Sequence, residues 1–140
     1  MEDFPKLFIP GPTHVSDEIL HVLSTKQIGH RTPEISILIK NIVNGVKEVL
    51  YTNNDVFLVS HAATGLWEMG TKNSVNEGVL HCINGAFSSK WALSSEKNGF
   101  FVDTLEYTWG CGVKAEDIDR KLSSGKFDVL AMVHNETSTG

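Results

Sequence analysis

Val79-Leu80-His81-Cys82-Ile83-Asn84-Gly85 is the stretch on which the fold turns. Five mostly apolar residues read as a strand, and Asn84-Gly85 bends the chain into a helix near Ser88–Lys97, which Asn98-Gly99 stops. The same alternation extends to both sides. Upstream, Val56-Phe57-Leu58-Val59 is a continuous apolar run of the kind buried on both faces of a sheet. A loop from Ser60 to Thr64 follows it, then a helix carrying Leu66, Trp67 and Met69. Downstream come a strand at Phe100-Phe101-Val102, a helix over Lys114–Ser123 with Ile118 and Leu122 four apart, and a strand at Val129–Val133. Strand and helix in strict alternation predict an α/β fold whose mainly parallel sheet is joined by right-handed crossovers.

The first part of the chain reads differently. Phe8-Ile9-Pro10-Gly11-Pro12-Thr13 is a stiff extended arm, because its prolines fix φ and bar a helix. Ser16 is placed to cap a short helix bearing Ile19, Leu20 and Leu23. Gly29-His30-Arg31 is a loop, and Thr32-Pro33 starts the longest helix. Its apolar face, expected to enter the core, is Ile35, Leu38, Ile39, Ile42, Val46, Val49 and Leu50. Residues 1–32 are expected to form an arm, a short helix and a loop. Residues 33–140 are expected to form a larger α/β domain that stops in mid-crossover, as a chain cut short would.

The 140 residues are 41% hydrophobic and 21% charged, with a net charge of −5. That composition suits a globular fold. No apolar run is long enough to span a membrane, and no basic block invites nucleic acid. Met1-Glu2-Asp3-Phe4-Pro5 has no basic-then-apolar signal pattern. Cys82 and Cys111, two thiols 29 positions apart, make neither a disulfide scaffold nor a closed zinc site, so a reducing cytoplasm is expected. The six histidines show no metal-ligand spacing, so no metal is expected.

Four segments have the composition of ligand sites. Ser60-His61-Ala62-Ala63-Thr64-Gly65 joins a strand to a helix through small residues. It is either a tight turn capped by Thr64 or a phosphate cradle of backbone N–H groups at the positive end of a helix. Phe87, just after the Asn84-Gly85 turn, is either a core aromatic or a face on which a planar ring stacks. His134-Asn135-Glu136-Thr137-Ser138-Thr139-Gly140 is either a solvated loop with a helix cap or a set of donors for a ring oxygen. Arg31, one of two arginines, is either a surface charge or a carboxylate clamp. A fifth segment, Gly110-Cys111-Gly112-Val113-Lys114-Ala115, matches G-x-G-x-x-A with Glu136 beyond it, as in a dinucleotide-binding module. Its first glycine, however, stands several residues past the preceding strand.

Taken in order, five stretches resemble the class V, fold-type I aminotransferases that use pyridoxal phosphate, nearest to the serine–pyruvate and alanine–glyoxylate type. They are Pro10–Thr13, Gly29–Glu34, Ala62–Glu68, Asn84–Trp91 and His134–Gly140. The resemblance covers the whole chain but only the N-terminal third or so of such an enzyme. It implies a large-domain fold with helices on both faces of the sheet. Ala62, Ala63 and Thr64 would fall on the phosphate loop, with Ala62 where the family commonly has Ser. Phe87 would stack on the pyridine ring, and Thr137 would bond its phenolic oxygen. Gly11, His30 and Arg31 would line the substrate side. The resemblance further implies a transaminase of small amino acids and 2-oxo acids, a homodimer in the full-length family, and a Schiff-base lysine and pyridinium-pairing aspartate beyond Gly140. None of the ten lysines stands in the place that role needs. A nucleotide-binding module, or a non-catalytic remnant that associates with a full-length subunit, are the alternatives.

Overall fold

The computed structural model describes residues 5–140. It divides into two compact units, one ending at Ser60 and one running from His61 to Gly140.

The first unit holds two helices, α1 (Asp17–Leu23) and α2 (Pro33–Val49). Both begin where local chemistry directs. Ser16 precedes α1 in an extended conformation, and Asp17 and Glu18 put negative charge on its first turn. Thr32 is extended ahead of Pro33, whose missing N–H costs nothing at a helix start. The expected burial of the α2 stripe does not occur. Leu38, Ile39 and Ile42 are 41–48% exposed, Val49 and Leu50 more so, and no residue of α2 is buried. An apolar stripe is buried only against another surface, and among its described residues this unit has no sheet to supply one. The strand expected at Val56–Val59 is corrected for the same reason. That segment pairs with no other strand, and Phe57 is 84% exposed. A lone extended segment leaves its backbone N–H and C=O groups to water.

The second unit is the alternating one: α3 (Ala63–Ser74), β1 (Val79–Ile83), α4 (Ala86–Lys97), β2 (Val102–Glu106), α5 (Ala115–Leu122) and β3 (Val129–Met132). Its three strands form one parallel sheet in the order β2-β1-β3. Val79 stands opposite both Val102 and Val129, and Cys82 opposite both Leu105 and Met132. As the central strand, β1 is fully buried from Val79 to Cys82, which accounts for its mostly apolar character. The third predicted strand is displaced, starting at Val102 rather than Phe100. Phe100 instead packs beneath the core of Val75, Val79 and Ala131 together with Trp91, while Phe101 stacks on Phe127 at 5.7 Å.

One face of β1 carries His81, whose Nε2 lies 2.9 Å from Ser95 Oγ on α4. Trp91 meets the His81 ring edge-on and stacks on Trp67 of α3 at 5.9 Å. Burial holds the imidazole down to about 4, so it stays neutral in this layer. At the amino end of the sheet, Asp128 accepts the N–H groups of Asn76, Glu77 and Gly78 at 2.7, 3.1 and 2.9 Å. The turn before β1 is thereby fastened to the start of β3.

Candidate functional site

Because the strands are parallel, the segments leaving β1, β2 and β3 all emerge at the same edge of the sheet, where open α/β folds place ligands. There Asn84, Gly110, Cys111, Gly112 and the run His134–Thr137 line a shallow cleft of about 260 Å³, with Thr139 and Gly140. Two bonds tie its first two walls. Gly110 donates its N–H to Asn84 O at 3.1 Å, and Asn84 Nδ2 donates to Cys111 O at 3.3 Å. Thr137 is the one expected cofactor residue among these walls.

Helix α4 begins beside the cleft, and its first turn is capped by the segment after β3. Ala86 N–H donates to Ser138 Oγ at 2.9 Å, Phe87 N–H to Glu136 Oε1 at 3.2 Å, and Ser88 N–H to Glu136 Oε2 at 2.9 Å. Three of the four orphan donors of the helix start are thus satisfied from a segment about fifty residues away, and the fourth, the Gly85 N–H, donates to Ser88 Oγ at 3.1 Å. Burial pushes the Glu136 carboxyl up, but hydrogen bonds from the Ser138 hydroxyl and from Ser88 and Phe87 outweigh it and hold the group at about 2. Gly85 is required at this approach, since a Cβ there would stand 2.4 Å from Glu136 Cγ.

Helix α3 starts in the opposite condition. Ala62 is extended at the cap position, no side chain caps the helix, and its first turn holds no acid. Gly65 N–H turns back to Ala62 O at 3.0 Å, while the N–H groups of Ala63 and Thr64 take no acceptor among the described residues. Thr64 is the second helical residue and not the cap, which corrects that expectation. Ala62, Ala63 and Thr64 are exposed. One turn on, Trp67 meets Phe87 edge-on at 6.4 Å, so the starts of α3 and α4 adjoin. Phe87 is 36% exposed, with the Lys90 ammonium 5.3 Å from its ring centre.

The structure therefore brings Phe87 and Thr137 together through the Glu136 bonds and sets Ala62–Thr64 one helical turn from Trp67, though only Thr137 lines the cleft. Gly11, His30 and Arg31 belong to the first unit, where all three are exposed. The dinucleotide alternative fails on geometry. Gly110 comes four residues after β2 ends at Glu106, and the Glu136 carboxylate is taken up by the first turn of α4 instead of facing a ribose. The residues alone put Asn84 in a turn and Gly110–Gly112 in a dinucleotide-like motif without joining them in one cleft, and they do not assign Glu136 and Ser138 to the start of α4. Among the described residues no cluster could hold a metal ion, and no helix is long and apolar enough to cross a membrane.

No family model matches the chain. It is 36% identical over 140 residues to an L-aspartate–glyoxylate aminotransferase of Paracoccus denitrificans and 33% identical over 140 residues to a serine–glyoxylate aminotransferase of Methylorubrum extorquens. Each match takes in 96% of this chain and 35% of the relative. The solved alanine–glyoxylate aminotransferase of a Nostoc species superposes with a TM-score of 0.88 at 29% identity, over 99% of this chain and 38% of that one. Over nearly its whole length the chain is similar in sequence and fold to these glyoxylate aminotransferases. It spans about a third of the length of the relatives it matches. The three-stranded sheet and its helices lie within the stretch that superposes on the Nostoc structure.

Proposed function

We propose that the chain supplies the phosphate- and ring-holding part of a pyridoxal-phosphate-dependent transaminase, acting between small amino acids such as serine, alanine or aspartate and glyoxylate or pyruvate. Residues 33–140 are then the opening part of the cofactor-binding large domain, with residues 1–32 as its arm. The working enzyme is a cytoplasmic homodimer whose Schiff-base lysine and pyridinium-pairing aspartate lie outside these residues. When bound, the cofactor supplies the electron sink that lets an amino group leave one carbon skeleton for another.

The observation that carries the reading is the contrast between the helix starts. In α4 the first three N–H groups already hold a carboxylate and a hydroxyl. In α5 the first turn has its own acids, Glu116 and Asp117. The start of α3 has neither cap nor acid. A phosphate dianion would meet free N–H groups and the positive helix end there. Ala63 and Thr64 donate backbone N–H groups, and the Thr64 hydroxyl adds a third donor. Ala62 offers no hydroxyl. Phe87 would lie against the ring face and Thr137 would donate to its phenolic oxygen, while Gly11, His30 and Arg31 would hold the substrate carboxylate.

Ala63→Pro tests the phosphate site. Proline at the first helical position removes one donor yet suits the helix, and extended Ala62 suits a following proline. The expected result is saturable binding of pyridoxine 5′-phosphate by the chain, read as quenching of Trp67 emission. Ala63→Pro should weaken it about tenfold, the worth of one hydrogen bond to a charged group, with the melting temperature unchanged. A chain that binds no pyridoxine phosphate, or a proline variant that binds it as tightly, overturns the reading.

A further inference from the structure

Glu136 presents a feature that helix capping alone does not explain. The residue is 6% exposed, and its carboxylate has no cationic partner among the described ion pairs. Five donors hold it instead. Oε1 accepts the Phe87 N–H at 3.2 Å, the Ser138 N–H at 3.3 Å and the Ser138 hydroxyl at 2.6 Å. Oε2 accepts the Ser88 N–H at 2.9 Å and the Ser88 hydroxyl at 3.0 Å. A helix start is ordinarily capped by the residue beside it, with Ser, Thr, Asp or Asn. Here that position is Gly85, and a Cβ there would collide with the glutamate. The local cap has been replaced by a remote one that cannot act without joining two segments.

Those two segments carry the two groups proposed above to meet the ring. Phe87 gives its N–H to Glu136, and Thr137 sits between Glu136 and Ser138, both of which are bonded to the first turn of α4. We propose, on the basis of the pyridoxal-phosphate reading, that Glu136 is a positioning residue that holds the Phe87 ring and the Thr137 hydroxyl in one register for the cofactor's pyridine ring. The carboxylate touches neither cofactor nor substrate. The phosphate contact at α3 is independent of it. Loss of Glu136 therefore weakens recognition of the ring and spares recognition of phosphate.

Glu136→Gln keeps the size of the side chain but replaces one acceptor oxygen with an NH₂ group that faces a backbone N–H. Two probes separate ring from phosphate on the 140-residue chain: pyridoxine 5′-phosphate, followed by the circular dichroism induced in its ring, and inorganic phosphate, followed by calorimetry. The wild-type chain should bind both. Glu136→Gln should lose about tenfold in affinity for pyridoxine phosphate, together with most of the induced ring signal at saturation, and should bind inorganic phosphate within about twofold of wild type. Ser138→Ala, which removes the hydroxyl's bonds to Glu136 and from Ala86 but leaves the Phe87 and Ser88 bonds to the carboxylate, should show the same selectivity with a smaller loss, and it decides the matter if the glutamine variant does not fold. Equal losses for both probes mean a purely structural residue and overturn the inference, as does an unchanged affinity for pyridoxine phosphate. A wild-type chain that binds neither probe overturns the pyridoxal-phosphate reading itself, and this inference with it.

Discussion

Gly85 and His81 are the two positions at which a single side chain decides most. Gly85→Ala would set a methyl group against the buried glutamate and within 2.7 Å of Ser138 Oγ. Overpacking of that kind costs about 1–3 kcal/mol. A urea titration should show that loss, and an unchanged midpoint would mean that the approach is looser than described. His81 is neutral and buried, held at about 4 against an ordinary value of 6.5. The unfolded chain takes up a proton that the folded one refuses, so the stability it lends is complete above pH 6.5 and is lost as the pH falls toward 4. The slope should approach about 1.4 kcal/mol per pH unit. In His81→Leu the fall in unfolding free energy between pH 6.5 and 5 should largely disappear. Neither effect could be read from the residues alone, because Gly85 looks like any turn glycine and His81 like any strand histidine until the neighbouring Glu136 and Ser95 are placed.

Elements were legible in proportion to how local their causes are. Thr32-Pro33 sets the start of α2 by its own stereochemistry, and the mostly apolar run Val79–Ile83 declares a central strand. Val56–Val59 has the same apolar character but no neighbour to pair with, a fact that composition does not contain. β2 was misplaced because Phe100 and Phe101 read as strand residues, while register is set by the pairing of Val102 with Val79. The carboxylate that joins the start of β3 to the turn before β1 gives the elements their acid response. Hydrogen bonds from the Gly78 and Asn76 N–H groups, with that of Glu77, hold Asp128 at about 2, well below the usual carboxylate range. A depressed carboxylate stabilises above its unfolded value near 4 and ceases to do so as pH falls toward 2. The wild-type melting temperature should therefore drop between pH 4.5 and 2.5, and Asp128→Asn should show a smaller drop over the same interval. Equal drops would assign the effect to other carboxylates.

Across the whole molecule, fold and site separate cleanly in what sequence could disclose. The α/β class follows from alternation, and the candidate residues follow from resemblance. The cleft walls do not, since Asn84, Gly110 and His134 meet only through the parallel sheet. The exposed stripe of α2 carries a consequence at this scale. Leu38, Ile39 and Ile42 present contiguous apolar surface to water, and surfaces of that kind drive association. Light scattering on the concentrated chain should detect self-association, reduced in the Leu38→Lys, Ile42→Lys double variant. A wild-type chain that stays monodisperse would contradict this.

The remote cap on α4 also imposes an order of events during translation. Ser88 leaves the ribosome 48 residues before Glu136. At roughly 5–20 residues per second that is a delay of about 2–10 s. β1, α4 and β2 can assemble in that interval, yet the amides of Ala86, Phe87 and Ser88 have only water to bond until the final strand and its trailing segment are made. The aromatic side chain of Phe87 is thus among the last parts of this unit to settle.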